Sequence, residues 1–289
     1  MKIHLVDGTY ELFRAHYSPR PGRITPDGRE IKATHGMTQS LIALLGQSEV
    51  THVAVAFDTV IRSFRNDLFD GYKTGDGVEP ALLAQFPLAE RITAALGLTV
   101  WPMVEFEADD AIGAAAVRFA ASPLVEQVVM CSPDKDLAQV VSGDRVVMLD
   151  RRKREVIDED GVVAKFGVSP PSIPDYLALV GDSADGIPGI RGWGARTTAT
   201  VLTRYESMDQ IPTDAADWDL SVRGAANLVK VMTEQWDNAQ LYRQLATLRL
   251  DVPLPETEPE QLRWKGVRQP EFADLCQSLG LESLLNRLP

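Results

Sequence analysis

Five short apolar runs, rich in valine, divide the first 165 residues of the chain and leave room for helices between them. The runs cover residues 3–6, 52–57, 98–101, 127–131 and 145–149. Stretches of helical length and period lie between them at residues 34–45, 80–96 and 108–121. Short apolar strands joined by helical crossovers are typical of a parallel sheet covered on both faces. The sequence therefore predicts an α/β fold with a mostly parallel central sheet flanked by helices.

The second part of the chain is predicted to be helical. Helical patterns cover residues 173–180, 194–205, 224–236 and 239–248, and a last helix is expected within residues 270–288. A segment rich in Pro and Glu begins at residue 251 and separates the last two patterns. We therefore predict an α/β part over residues 1–169 and a helical part over residues 170–289.

Composition narrows the class of protein. The chain has 289 residues, 45% hydrophobic side chains and no apolar run near 18 residues, so we expect a soluble globular protein that does not span a membrane. The start, MKIHLVDG, leads straight into a strand pattern without the features of a secretory signal, which predicts a cytoplasmic protein. Cys131 and Cys276 are not in ligand spacing and are expected to be reduced thiols.

Carboxylates follow several of the predicted strands. Asp7 ends IHLVD, Asp58 ends VAVAFD, and two acids follow VVMCSP; the carboxyl ends of strands are where open α/β sheets bind ligands. The spacing in EADD places Glu107 and Asp110 on one face of a first helical turn. Any single acid could simply cap a helix or face water. Strand ends, a helix start and a Gly-rich loop all supply acids, however, which predicts one shared site made of Asp7, Asp58, Glu107, Asp109, Asp110, Asp134, Asp136, Asp182 and Asp185.

Packed carboxylates repel one another, and a divalent cation relieves that repulsion at lower cost than raised pKa values do. The predicted ligands are all oxygen atoms, which suits Mg2+ or Mn2+. The four histidines, His4, His16, His35 and His52, lie outside these motifs, and this argues against zinc. We therefore expect Mg2+ or Mn2+ at the acids.

The net charge of −12 would at first argue against a nucleic-acid partner, because proteins that bind phosphate usually carry a basic excess. Removing the nine clustered acids from that total leaves −3, and bound cations would cancel much of the negative potential of the site. The local distribution of charge therefore decides, and nucleic acid stays a possible partner.

A Gly-rich segment, GDSADGIPGIRGWGARTTA, joins the helical patterns at residues 173–180 and 194–205. Five glycines let backbone N–H groups and a helix N-terminus face a phosphate, and Arg191 and Arg196 add positive charge. A plain Gly-rich connection is the alternative. We predict a sequence-independent contact with a nucleic-acid backbone, made by Gly186, Gly189, Arg191, Gly192, Gly194, Arg196 and Thr197.

Basic and aromatic residues are interleaved in residues 61–73, IRSFRNDLFDGYK, directly after Asp58. Cations there could hold a scissile phosphate, whereas a solvated helix with ordinary surface charges is the alternative. Arg14, seven residues after Asp7, is open to the same two interpretations.

Six motifs in order, LVDGTYELFRAH, VAVAFD, FRNDLFDGYK, FEADD, SPDKDL and GDSADGIPGIRGWGARTTATVL, resemble those of the bacterial 5'-nuclease family. This family comprises the 5'-3' exonuclease domain of DNA polymerase I and related flap endonucleases, and the chain resembles a free-standing member. The resemblance implies a PIN-like nuclease core with a helical arch at about residues 61–96. It also implies a helix-three-turn-helix element at about residues 173–205, which binds the backbone of duplex DNA, often around a monovalent cation such as K+.

The resemblance also implies roles for single residues. Asp7, Asp58, Glu107, Asp109 and Asp110 match acids around a first metal, and Asp134, Asp136, Asp182 and Asp185 match acids nearer a second, with two or three ions in all. Lys73 matches the arch lysine that contacts the scissile phosphate. Arg65 matches a nearby arch arginine and Arg14 the arginine after the first acid, so these three are the predicted catalytic residues.

The chain departs from the family pattern at two places. Asp76, in YKTGDG, stands where the family usually has an Arg, and this weakens the predicted capture of phosphate by the arch. The sequence Ala184-Asp185-Gly186 replaces the usual SDN, which predicts an altered turn geometry.

The resulting expectation is a metal-dependent, structure-specific 5' nuclease for DNA replication and repair. Its substrates would be 5' flaps, nicks, gaps and free 5' ends of DNA, and RNA primers. We expect a monomer near the bacterial nucleoid that works with a DNA polymerase and a ligase. The alternatives are a catalytically weak DNA-binding module of the same fold, favoured by Asp76, and a PIN-class ribonuclease. A phosphatase function is less consistent with the sequence, because VDGT at residues 6–9 lacks the second Asp of a DxDGT motif.

Overall fold

A computed structural model describes residues 1–289, which form two compact units. Unit 1 contains Met1–Ile61, Gly75–Ser132 and Arg249–Pro289, and unit 2 contains Arg62–Thr74 and Pro133–Leu248. Residues 249–289 return to unit 1 and residues 62–74 pack with unit 2, so neither unit is continuous in sequence. The division of the chain into parts 1–169 and 170–289 stays a prediction. No helix combines the length and hydropathy needed to cross a bilayer.

The chain forms twelve α-helices, and those at residues 8–16 and 159–166 were not predicted from the sequence. In chain order they are α1 Gly8–His16, α2 Lys32–Leu45, α3 Arg65–Leu68, α4 Pro80–Leu83, α5 Phe86–Ala95, α6 Ala108–Ala120, α7 Glu159–Phe166, α8 Ile173–Val180, α9 Ala195–Tyr205, α10 Ala225–Glu234, α11 Trp236–Ala246 and α12 Gln269–Leu279. Short 3-10 helices add Lys135–Val140, Pro170–Ser172, Met208–Gln210, Ala215–Asp217, Pro259–Leu262 and Glu282–Arg287.

The sheet of unit 1 has four parallel strands. They are β1 Lys2–Asp7, β2 His52–Asp58, β3 Thr99–Met103 and β4 Gln127–Cys131, paired in the order β3-β2-β1-β4. Side chains on both faces of β1 and β2 are almost completely buried, as expected of a parallel sheet between helices. The prediction of a mostly parallel α/β sheet is confirmed, and all four carboxyl ends lie along one edge.

Two predicted helices of unit 1 are shorter than expected. The pattern at residues 80–96 is split into α4 and α5, because Pro87 has no N–H to donate to the carbonyl of Leu83. The pattern at residues 270–288 ends as an α-helix at Leu279, where Gly280 adopts a left-handed conformation with φ of 67°.

Unit 2 combines one β-hairpin with helices. β5 Val146–Asp150 pairs antiparallel with β6 Glu155–Ile157, and α7 follows directly. Neither β6 nor α7 was predicted. β6 has only three residues, and α7 buries only Val162, so it has no apolar face that would give a periodic signal. Further along, α8 packs against α9 and α11 and buries Leu177 and Leu179.

The turn after α5 limits which residue can occupy position 97. Gly97 has φ of 81°, and a Cβ atom there would lie 2.1 Å from the carbonyl oxygen of Gly266. We expect Gly97→Ala to lower the free energy of unfolding by about 2–5 kcal/mol, from the left-handed backbone and from the displaced carbonyl. Gly77→Ala is the matched control, because φ is 88° there and the space is open. It should cost only about 1–2 kcal/mol in denaturant unfolding. Equal losses would contradict the steric argument.

Candidate active site

The first group of acids lies in unit 1, where strand ends meet helix starts. Asp7 is the last residue of β1 and the N-cap of α1, and it is 6% exposed. One carboxylate oxygen accepts a hydrogen bond from the Tyr10 backbone N–H at 2.7 Å, and the other accepts one from the Ser132 hydroxyl at 2.9 Å. Asp7 is therefore held at the strand edge by contacts to both oxygens.

The remaining acids of this group connect β2 to α6. Asp58 is the last residue of β2 and accepts a hydrogen bond at 2.7 Å from the N–H of Ala108, the first residue of α6. Glu107 and Asp110 form a capping box, in which Asp110 accepts from the Glu107 N–H at 3.0 Å. Asp109 lies in the same helical turn. Several of these acids therefore cap helices, as the alternative interpretation of single acids predicted. Capping is compatible with metal binding, because each carboxylate has two oxygens with four lone-pair sites in all.

The second group of acids lies in unit 2 and is more compact. Asp134 caps the 3-10 helix Lys135–Val140 by accepting a hydrogen bond from the Asp136 N–H at 3.0 Å. Asp136, Asp182 and Asp185 are all buried, and each offers a ligand atom within 4.8 Å of the others. One oxygen of Asp136, Oδ1, is buried and has no hydrogen-bond partner. Three of the nine predicted acids, from two separate segments, therefore converge. A single site that contains all nine stays a prediction.

Burial raises the pKa of Asp136 well above its usual value, and the negative charges of Asp134, Asp185 and Asp182 raise it further. The positive charge of Lys73 acts in the opposite direction. A carboxyl group in this situation either retains a proton or needs a cation close by. The unpartnered Oδ1 and the all-oxygen donor set fit a hard divalent cation held by Asp136, Asp182 and Asp185.

Two lysines provide positive charge inside this cluster. The Lys73 ammonium lies 2.9 Å from Asp185, and the Lys135 ammonium lies 2.6 Å from Asp182. Burial lowers the pKa of Lys135, but the hydrogen bond to Asp182 and the nearby acids outweigh it and raise the pKa overall. Lys135 was not predicted as a site residue, although its place between two acids in SPDKDL was a signal for it.

The arginines predicted to be catalytic have other contacts. Arg65 is only 2% exposed, and its guanidinium donates to the carbonyls of Leu245 at 2.8 Å and Thr247 at 3.0 Å. It ties α3 to the end of α11, so a direct role with a phosphate conflicts with its burial. Arg14 donates to the Glu11 carboxylate and to the Ser40 hydroxyl, at 2.9 Å to the latter, and links α1 with α2. Its catalytic role stays a prediction.

The segment predicted as an arch contains short helices. α3 has four residues and belongs to unit 2, whereas α4 and α5 belong to unit 1. The Lys73 N–H donates to the Asp185 carbonyl at 3.0 Å, so backbone as well as side chain joins this lysine to the acid cluster. Asp76 is exposed between two glycines of positive φ, Gly75 and Gly77.

The Gly-rich turn between α8 and α9 has the conformations that its glycines predict. Gly181, Gly186, Gly189 and Gly192 all have positive φ. At Gly186 a Cβ atom would lie 2.1 Å from the carbonyl oxygen of Gly71, so only glycine fits there. Two hydrogen bonds of 2.8 Å between Asp182 and Ile187 close the turn on its acidic side.

The far side of the same turn faces water. Gly194 precedes α9 as the N-cap and supplies no side-chain cap to the helix. Arg191, Arg196 and Gly192 are exposed, and Thr197 is half-buried. An uncapped helix start with two arginines beside it suits an anion such as a phosphate.

Family models match almost the whole chain. A 5'-3' exonuclease N-terminal resolvase-like domain matches residues 2–167, and a 5'-3' exonuclease C-terminal SAM fold matches residues 168–270. The chain belongs to the 5'-3' exonuclease family. The chain is accordingly a 5' nuclease, and the family resemblance found in the sequence motifs is confirmed.

One relative of this 5' nuclease is a 5'-3' exonuclease of Aquifex aeolicus, which is 30% identical in sequence. The alignment covers 99% of the chain and 94% of the Aquifex protein. DNA polymerase I of Pseudomonas aeruginosa is 36% identical over 86% of the chain, but the chain spans only 27% of that relative. A bacteriophage T5 flap endonuclease, solved with DNA and metal ions, has the same fold at a TM-score of 0.66, 15% identity and coverage of 96% and 99% of the two chains.

The Lys135 ammonium occupies space beside Asp182 and competes electrostatically with any metal cation there. We expect Lys135→Met to tighten Mn2+ binding about 3- to 10-fold, because a unit charge a few ångströms away contributes about 1 kcal/mol or more. Electron paramagnetic resonance of free Mn2+ measures this without DNA. Lys230→Met, at an exposed position on α10, removes the same charge and should leave the affinity unchanged. Weaker Mn2+ binding by the Lys135 variant would instead show that the ammonium organises the acids.

Proposed function

We propose that this 5' nuclease depends on a divalent metal and hydrolyses DNA phosphodiester bonds at 5' flaps, nicks, gaps and free 5' ends. We propose that it also removes RNA primers. The observation that carries the proposal is the cluster of Asp136, Asp182 and Asp185, with one buried oxygen that lacks a partner. Mg2+ or Mn2+, two or three ions in all, would be held by the acids of both groups.

A divalent cation supplies two effects in such a site: it lowers the pKa of water and stabilises negative charge on phosphate oxygens. The chain contributes the rest. Lys73 is one-third exposed while its ammonium contacts Asp185, so it can hold a phosphate without leaving the acid cluster. The Asp134 carboxylate accepts a hydrogen bond from the Asp136 N–H, and two backbone hydrogen bonds join Asp182 to Ile187. These contacts hold Asp136 and Asp182 in place. The products would carry 5'-phosphate and 3'-hydroxyl ends.

The Gly-rich turn would bind the backbone of duplex DNA, together with K+. Its exposed Arg191 and Arg196 and the uncapped start of α9 support this assignment, because such groups contact phosphates without reading bases. A DNA polymerase and a ligase are proposed as functional partners. Relatives named DNA polymerase I contain a similar region within a longer chain, which supports the pairing with a polymerase.

Removal of one buried acid tests the metal-dependent nuclease directly. We expect Asp136→Asn to reduce cleavage of labelled 5'-flap and nicked duplexes at least about 100-fold, since even residues that only orient metal ligands contribute about 10- to 100-fold. Asp237→Asn, at an exposed position of unit 2, makes the same chemical change and should cut normally. The assay is run with Mg2+, with Mn2+ and with chelator.

Three outcomes of this assay would count against the proposal. Cleavage by the wild type in chelator would contradict metal dependence, and full activity of Asp136→Asn would contradict the role of the cluster. Binding of flapped DNA without any cleavage would favour the catalytically weak DNA-binding module, for which Asp76 in the arch segment is the supporting feature.

The proposed contact of the Gly-rich turn with DNA is tested by the salt dependence of the DNA-binding affinity. We expect Arg196→Ala to weaken binding to duplexes of every sequence and to lower the salt dependence by up to about one charge. Arg204→Ala, in the last turn of the same helix, removes a cation that is paired with Asp219 and should have little effect on DNA binding. Fluorescence anisotropy over a range of salt concentrations measures both. A loss confined to one sequence would contradict backbone recognition.

A further inference from the structure

Four consecutive cations form the tip of the hairpin between β5 and β6. They are Arg151, Arg152, Lys153 and Arg154, and we call them the basic tip. The last three are exposed and the first is half-buried. Setting these four aside from the net charge of −12 leaves −16 for the rest of the chain. The basic tip therefore presents concentrated positive charge on an acidic protein.

Few ion pairs neutralise Arg152, Lys153 and Arg154, the three exposed residues of the basic tip. Asp150 accepts hydrogen bonds from the Arg152 and Lys153 N–H groups at 2.9 and 3.0 Å, so it fixes the turn mainly through the backbone. Its other oxygen lies 3.8 Å from the Lys153 ammonium. The side chains of Arg152 and Arg154 have no ion-pair partner. Neighbouring like charges repel, so the stability of the hairpin does not account for this composition.

The backbone of the tip gives a second, independent indication. Arg154 has φ of 58°, in the left-handed region, where hairpin loops strongly favour glycine or asparagine. A residue with a side chain is disfavoured there by about 1–2 kcal/mol. The chain keeps an arginine at a position where glycine would make a better turn. Such a conflict between local preference and sequence is expected where a side chain serves a function.

We infer that the basic tip is a second phosphate-binding surface, which contacts the DNA backbone apart from the Gly-rich turn. This inference rests on the proposed function, since it extends the DNA contact of the same nuclease. Arginine and lysine are the side chains that most often bind nucleic-acid phosphates, and such contacts need no base recognition. Both surfaces belong to unit 2, so one unit would carry two separate contacts to the backbone.

A double variant with a charge-matched control tests this surface. We compare Arg152→Gln/Arg154→Gln with Lys265→Gln/Arg268→Gln, which removes two exposed cations of unit 1 and gives the same net charge. Anisotropy of a labelled nicked duplex in chelator measures binding without cleavage. The tip variant should bind about 5- to 50-fold more weakly near 0.1 M salt, and its log–log salt slope should fall by up to about 1.8. The control should stay within about twofold of the wild type.

A single variant separates binding from turn structure. Arg154→Gly relieves the left-handed strain and removes one charge, so it should raise Tm while weakening DNA binding. A higher Tm with unchanged binding would overturn the inference, as would a double variant that binds like the wild type at every salt concentration. If the wild type itself bound no nicked or flapped duplex, the proposed function would fail instead. The two failures are therefore distinguishable.

Discussion

Repulsion among buried carboxylates is the constraint around which unit 2 is built. Asp136, Asp182 and Asp185 are removed from water and held close together, which is costly for ionised groups. Several contacts keep them there. The Lys73 and Lys135 ammonium groups provide opposite charge, and the backbone bonds between Asp182 and Ile187 fix one acid in its turn. The fold itself therefore holds the acids in place and offsets the cost of burying them close together.

A separate group of acids shapes the local structure of unit 1. Asp7 starts α1, and Asp58 and Asp110 fix the start of α6 beside the end of β2. A carboxylate at a helix N-terminus is stabilised by the unpaired N–H groups and the helix dipole. Helix capping thus offsets part of the repulsion that a site of many acids creates. For these residues, the capping role and the proposed metal-binding role need the same charge at the same place.

The sequence predicted the features that depend on local patterns. Strands β1, β2 and β4 follow from short valine-rich runs, and the acids at their ends follow from position alone. Features that depend on distant partners were missed. The buried guanidinium of Arg65 donates hydrogen bonds to the carbonyls of residues 245 and 247. These partners are about 180 residues away, and no local motif predicts them. The return of residues 249–289 to unit 1 also depends on tertiary packing, and no local pattern indicates it.

Net charge is a poor guide to what this chain binds. At physiological ionic strength charges are screened over about 8 Å, so the total of −12 acts on DNA mainly as a weak repulsion at longer range. Contacts are decided by the cations that stand closest to a phosphate. The exposed Arg191 and Arg196 stand beside an uncapped helix start, whereas Lys73 and Lys135 stand among the acids. Because the two sets of cations have different neighbours, the proposed duplex binding and the charge balance at the acids can vary independently of each other.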